Sequence, residues 1–243
     1  MQAVFAHRGA SGYAPENTLE AFELAARLGA AGVELDVHIA RDGELVVAHD
    51  ETIDRVADGS GLIAEMTTAQ LKRYRFNRTH REYEKATIPT LREVFELLGP
   101  LGLRVNVELK NSRIDYPGLE EKCVKLACET GMTDRVLYSS FNHHSLLRMK
   151  RIDPALPCGL LYDCMLADSA AYAAGLGMDA IHPHFSELLL TREAEACHAK
   201  GIDVNVWTVN EAEDIRRCIE AGADILISNY PDRALRILEE MQG

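Results

Sequence analysis

Two stretches of the chain space carboxylates in a way that can hold a cation. In Gly32-Val33-Glu34-Leu35-Asp36-Val37-His38, polar and apolar residues alternate, so Glu34, Asp36 and His38 share one face of a strand and Val33, Leu35 and Val37 the other. The second stretch repeats the device: Val105, Val107 and Leu109 face one way, Asn106, Glu108 and Lys110 the other. Ionised carboxylates buried without partners are strongly unfavourable, and the usual remedies are a cation, a hydrogen-bond network or protonation. Glu34, Asp36 and Glu108 together suit a hard divalent ion, Mg²⁺ or Ca²⁺, better than zinc, which is usually held by His and Cys. Lys110 lies on the face of Glu108, available to a phosphate. Ion pairs at the rim of a barrel give the same spacing, and Glu-x-Asp alone is too short to separate the two.

His7-Arg8-Gly9 closes the first apolar run, and Arg8 offers a forked donor set for phosphate oxygens. His49-Asp50 follows another short run, Leu45-Val46-Val47-Ala48. Two histidines suit phosphodiester cleavage, since one can accept a proton from the nucleophile while the other protonates the leaving alkoxide. A lone histidine, by contrast, is more often structural. Phe141 and Trp207, the single tryptophan, each close a strand-like run, where a ring can contact the apolar face of an alcohol or simply pack in the core. For His182 and His184, near the end of a further run, a structural role fits better than a place in a site.

The elements that must position these residues follow a βα rhythm. Candidate strands lie near 3–7, 32–38, 103–109, 135–141, 157–162, 179–184, 202–208 and 223–228, each followed by a segment of helical period. Gly29, Gly99, Gly131, Gly177, Gly201 and Gly222 fall where helices would end. Eight such units favour an α/β fold closed into a (β/α)8 TIM barrel, and 243 residues is the usual size of one such domain, so a single catalytic domain over 1–243 is expected. Residues 39–89 are too long for a normal βα loop, and Arg41-Asp42-Gly43-Glu44 reads as a hairpin turn within them. They are expected to form an insertion after the second strand, on the face where loops build barrel active sites.

A formal net charge of −12 argues against nonspecific nucleic-acid binding, although local cations and a metal can still hold one small phosphorylated ligand. Met1 to Arg8 lack the basic and apolar regions of a secretory signal, and no apolar run is long enough to span a bilayer, so a cytoplasmic protein without membrane insertion is expected. The six cysteines form no CxxC pair, which gives no zinc or redox motif and points to buried reduced thiols. Apolar helix stripes look alike against a core or a partner, so the oligomeric state stays open.

In chain order, His7-Arg8-Gly9, Pro15-Glu16-Asn17-Thr18, Glu34-Leu35-Asp36-Val37, His49-Asp50, Asp54-Arg55, Gly59-Ser60-Gly61, Glu108-Leu109-Lys110, Ser140-Phe141-Asn142 and Val206-Trp207-Thr208 together resemble the glycerophosphodiester phosphodiesterase family, and the likeness spans nearly the whole chain. The resemblance implies a TIM barrel, Glu34, Asp36 and Glu108 as ligands of a divalent metal ion, His7 and His49 as general acid and base, and Arg8 and Lys110 as phosphate contacts. The implied reaction cleaves a small glycerophosphodiester to sn-glycerol 3-phosphate and an alcohol such as choline or ethanolamine. Two other readings stand beside it. One is a lipid phosphodiesterase resembling phospholipase D or sphingomyelinase, which would call for an apolar interfacial segment rich in Trp or Phe that this chain lacks. The other is a barrel that binds a phosphorylated ligand without turnover, as when an enzyme scaffold loses a catalytic residue, whereas this chain keeps the full set.

Overall fold

The computed structural model describes residues 2–242. Strands β1 (Ala3–His7), β2 (Gly32–Ile39), β3 (Leu45–Val47), β4 (Arg104–Leu109), β5 (Val136–Ser140), β6 (Cys158–Tyr162), β7 (Ala180–Pro183), β8 (Asp203–Val206) and β9 (Ile225–Ser228) form one sheet in the order β1-β9-β8-β7-β6-β5-β4-β2-β3. Pairing of β1 with β2 closes it. Only β3 runs antiparallel, hung on the end of β2 with Val37 opposite Val47, so the rest is a TIM barrel of parallel strands. Each barrel strand expected from the apolar runs is present with its ends within two residues.

Helices α1 (Leu19–Arg27), α2 (Thr68–Leu71), α3 (Leu91–Leu98), α4 (Leu119–Glu129), α5 (His143–Ile152), α6 (Ser169–Leu176), α7 (Phe185–Thr191), α8 (Ala194–His198), α9 (Ala212–Glu220) and α10 (Pro231–Gln242) surround it. Their starts are written in side-chain chemistry: the Thr18 hydroxyl accepts the Ala21 N–H at α1, and Thr90 and Glu93 form a reciprocal capping box at α3. Gly99 ends a helix as expected. It does so in a right-handed conformation (φ −56°), and Gly102, at φ +75°, makes the left-handed turn toward β4.

The alternation in β2 resolves as the pleat requires: Val33, Leu35 and Val37 join the main core between barrel and helices, leaving Glu34 and Asp36 to the lumen. Deep in the lumen Phe5, Ile225 and Ile227 form a separate apolar plug. The segment between β2 and α3 has a core of its own in which Ile53, Ile63, Leu71, Phe76 and Ile88 are buried. β3 joins the two cores, since Leu45 and Val47 pack in the main one and Val46 and Ala48 in the smaller. Cys123, Cys158, Cys197 and Cys218 are buried, Cys128 and Cys164 exposed, and all six are free thiols. Among the described residues no helix is long and apolar enough to cross a membrane.

Candidate active site

The C-terminal ends of β1, β2 and β4 converge on one side of the mouth. Parallel register sets Glu34 beside His7 and Asp36 beside Glu108, so the three carboxylates meet, with candidate ligand atoms all within 4.8 Å of one another. All three are buried. Three like charges in one dry place cannot all ionise freely. Burial, then repulsion from Asp36 and Glu108, pushes the Glu34 carboxyl well above its usual range, and burial with the Asp36 charge lifts Glu108 to about 7. Asp36 goes the other way: burial works to raise it, but Arg8, Lys110 and the Asn17 amide outweigh burial and hold it low.

Neighbouring groups fix the trio without neutralising it. The Arg8 N–H donates to Glu34 (3.0 Å), the Asn17 amide to Asp36 (2.9 Å) and Lys110 to Glu108 (2.8 Å). The Arg8 guanidinium lies 3.4 Å from Asp36. Asp36 Oδ1, fully buried, receives no hydrogen bond, and its nearest cation is Lys110 at 3.5 Å. An acceptor left open among crowded carboxylates is the donor set that a hard divalent cation completes, so these residues fit such an ion. Reaching this arrangement strains the backbone: Arg8 and Asn17 sit at φ +54° and +57°. Gly9 between them passes so near α1 that a Cβ there would lie 2.7 Å from Ala21.

The two histidines are held differently. His7 Nδ1 is 2.7 Å from the Asn229 side-chain oxygen, which can only accept, so the proton sits on Nδ1 and Nε2 is left with its lone pair. Burial, reinforced by Arg8, takes His7 down to about 4. His49 Nδ1 donates to Asp50 at 2.6 Å. Asp50 is in turn gripped by Arg55, which also bonds both oxygens of Glu16 at 2.7 Å, and Glu16 accepts from Arg8 at 3.0 Å. One arginine from the inserted segment therefore fixes the partners of both His49 and Arg8.

Phe141 and Trp207 stand on the opposite side, edge to face with ring centres 5.6 Å apart. With His7, His49, Glu34 and Glu108 they line an inner cavity of about 40 Å³. His49, Glu108 and Phe141 also border an outer cavity of about 620 Å³, so they form the neck between the two. His182 is buried in the barrel against Asn205 and contributes to neither cavity, and His184 packs on Phe185 and Trp207. Sequence reasoning missed the holders: Asn229, Asn17, the Glu16–Arg55 pair, and His38, whose ring bridges the Tyr116 hydroxyl (3.1 Å) and the His49 carbonyl (3.2 Å). The only prior signals were the place of Glu16, Asn17 and Arg55 in the motif order and that of His38 on the polar face of its strand.

A barrel with this mouth belongs to a class: TIM barrels that gather cations, imidazoles and buried carboxylates at the C-terminal ends of their strands, the face where such barrels build active sites. Comparison with known proteins narrows it. Residues 7–233 match the model of the glycerophosphoryl diester phosphodiesterase family. A glycerophosphodiester phosphodiesterase of Caldanaerobacter subterraneus subsp. tengcongensis is 40% identical over 98% of each chain, and one of Bacillus altitudinis 38% identical over the whole of both. A solved structure of an Oleispira antarctica phosphodiesterase in complex with the product sn-glycerol-3-phosphate superposes with a TM-score of 0.86 at 31% identity, covering 98% of this chain and 97% of that one. The chain belongs to the glycerophosphoryl diester phosphodiesterase family and is a phosphoric diester hydrolase.

Proposed function

We propose that the protein, acting as one catalytic domain with residues 39–89 as part of its site, hydrolyses small glycerophosphodiesters to sn-glycerol 3-phosphate and an alcohol. The observation that carries this reading is the inner cavity, where two histidines with fixed Nδ1 protons line the same small space as Glu34 and Glu108 of the carboxylate trio. Glu34, Asp36 and Glu108 would hold a divalent ion, Mg²⁺ or Ca²⁺, whose charge when bound offsets that of the phosphate. Arg8 and Lys110 add fixed positive charge to either side of Asp36 and would offset the negative charge that develops on the phosphoryl oxygens in the transition state.

In the first step the glycerol 2-hydroxyl attacks phosphorus, one histidine Nε2 takes its proton, the other protonates the departing alkoxide, and a cyclic phosphate forms. Water then opens the ring with the two roles exchanged. Asn229 and Asp50 each keep the Nδ1 proton in place, so Nε2 is the only nitrogen that can exchange one. Phe141 and Trp207 would pack against the carbon skeleton of the substrate. A coupled assay for released glycerol 3-phosphate, run with EDTA and with each metal added back, tests the reading. Release that requires a divalent ion supports it, and binding of the diesters without release would favour a non-catalytic barrel.

A further inference from the structure

The reacting groups occupy the inner cavity and the neck, yet the outer cavity is much the larger. Beyond the neck its wall is made by Asp50, Glu51, Thr52, Lys110, Ser112 and Arg113. Most of the charged groups bordering it are already engaged: Asp50 with Arg55 and His49, Glu108 with Lys110. Glu51 is not. Its carboxylate has one cation near it, Arg113 at 3.7 Å, beyond hydrogen-bond reach. The Glu51 side chain is 23% exposed and that of Arg113 81%, so water and salt screen the guanidinium far more than the carboxylate. With Lys110 balanced by Glu108 and Asp36, the least compensated charge on the wall is that of Glu51. Phe141, 39% exposed, adds an aromatic surface at the neck of the kind that attracts ammonium groups.

We propose that the outer cavity is the subsite for the departing alcohol and that Glu51 makes it select a cationic amino-alcohol head group. The proposal rests on the reaction given above. An ammonium group would take the place of Arg113 beside Glu51, losing only a long, solvent-exposed ion pair. A neutral polyol gains no such contact, and an anionic head group meets the negative charge of Glu51.

The test measures kcat/KM on glycerophosphocholine, glycerophosphoethanolamine and the uncharged glycerophosphoglycerol, and reads the ratio of cationic to neutral substrate. Glu51→Gln should lower that ratio about tenfold, as expected when one partly buried charge contact is lost. Arg113→Gln, which removes the competing cation, should raise it, and added salt should shrink the wild-type preference. A ratio that Glu51→Gln leaves within twofold of wild type, or that Arg113→Gln lowers, overturns the proposal. If wild type turns over none of the diesters, the reaction itself is refuted, yet titration calorimetry with glycerophosphocholine and glycerophosphoglycerol still decides the subsite. A Kd ratio shifted about tenfold by Glu51→Gln upholds it, and an unmoved ratio overturns it.

Discussion

The two walls of the barrel mouth are opposites. Strands β1, β2 and β4 carry His7, Arg8, Glu34, Asp36, Glu108 and Lys110, a knot of ions inside the fold. The facing strands β6 to β9 carry Leu161, His182, Asn205, Trp207 and Ile227, of which only His182 can titrate, and burial alone takes it down to about 3. The ionic wall keeps groups at odds with their surroundings, whereas the neutral wall only shapes the space they face. Cost is thus concentrated on the wall where the proposed chemistry needs charge, a division expected when active-site groups are selected against local stability.

The largest effect should come from His7 and His49, proposed above as the proton-transfer pair. His7→Ala or His49→Ala should lower kcat by roughly 10²–10⁴ with melting temperature little changed. Near-wild-type turnover in both would remove the ionic wall from the mechanism. Next is the carboxylate trio. Saturating Mg²⁺ or Ca²⁺ should stabilise the wild type by about 2.7 kcal/mol at a hundredfold excess over Kd, which is roughly 5–10 °C for a chain of this size in a thermal melt. Glu108→Gln should abolish that shift and, in EDTA, melt a few degrees above wild type, because one repelling charge is gone. A metal shift of normal size in Glu108→Gln would show that the ion sits elsewhere.

On the neutral wall the sign of pH dependence follows from His182. A histidine whose pKa falls on folding contributes no penalty above pH 6.5 and costs stability as pH drops below it, because the unfolded chain then binds the proton and the fold does not. Unfolding free energies from urea melts should therefore fall with acid, below pH 6.5 and down to about pH 3, by about 1.4 kcal/mol per pH unit more in wild type than in His182→Gln. Equal slopes would mean that this imidazole is protonated in the fold. The smallest effect belongs to Trp207, whose indole N–H donates to the His182 carbonyl at 2.8 Å. Trp207→Phe should raise KM by about threefold to tenfold and spare kcat, since it trims contact area and one neutral hydrogen bond. A large fall in kcat instead would move Trp207 from the shaping wall to the reacting one.

The ionic wall was legible in the sequence for a simple reason: a strand period of two exposes itself wherever carboxylates interrupt Val and Leu, as at Glu34, Asp36 and Glu108. The hairpin was legible too, because Arg41-Asp42-Gly43-Glu44 turns just where β2 folds back on β3. The holders were not. Tyr116 meets His38 across 78 positions and Asn229 meets His7 across 222, distances at which no local pattern survives. Arg55 clasping Glu16 across 39 positions depends on how the inserted segment docks, and the outer cavity exists only once it has docked.

The place of β3 in two cores has a kinetic consequence. His49 and Asp50 ride at the end of a strand whose alternate residues belong to the barrel core and to the core of the inserted segment. Such a strand cannot open with the surface loops alone, because release of Val46 from one side disturbs Leu45 and Val47 on the other. The amides of β3 that pair with β2 should therefore exchange hydrogen as slowly as those of the barrel strands, and heat should silence His49 only when the barrel itself lets go.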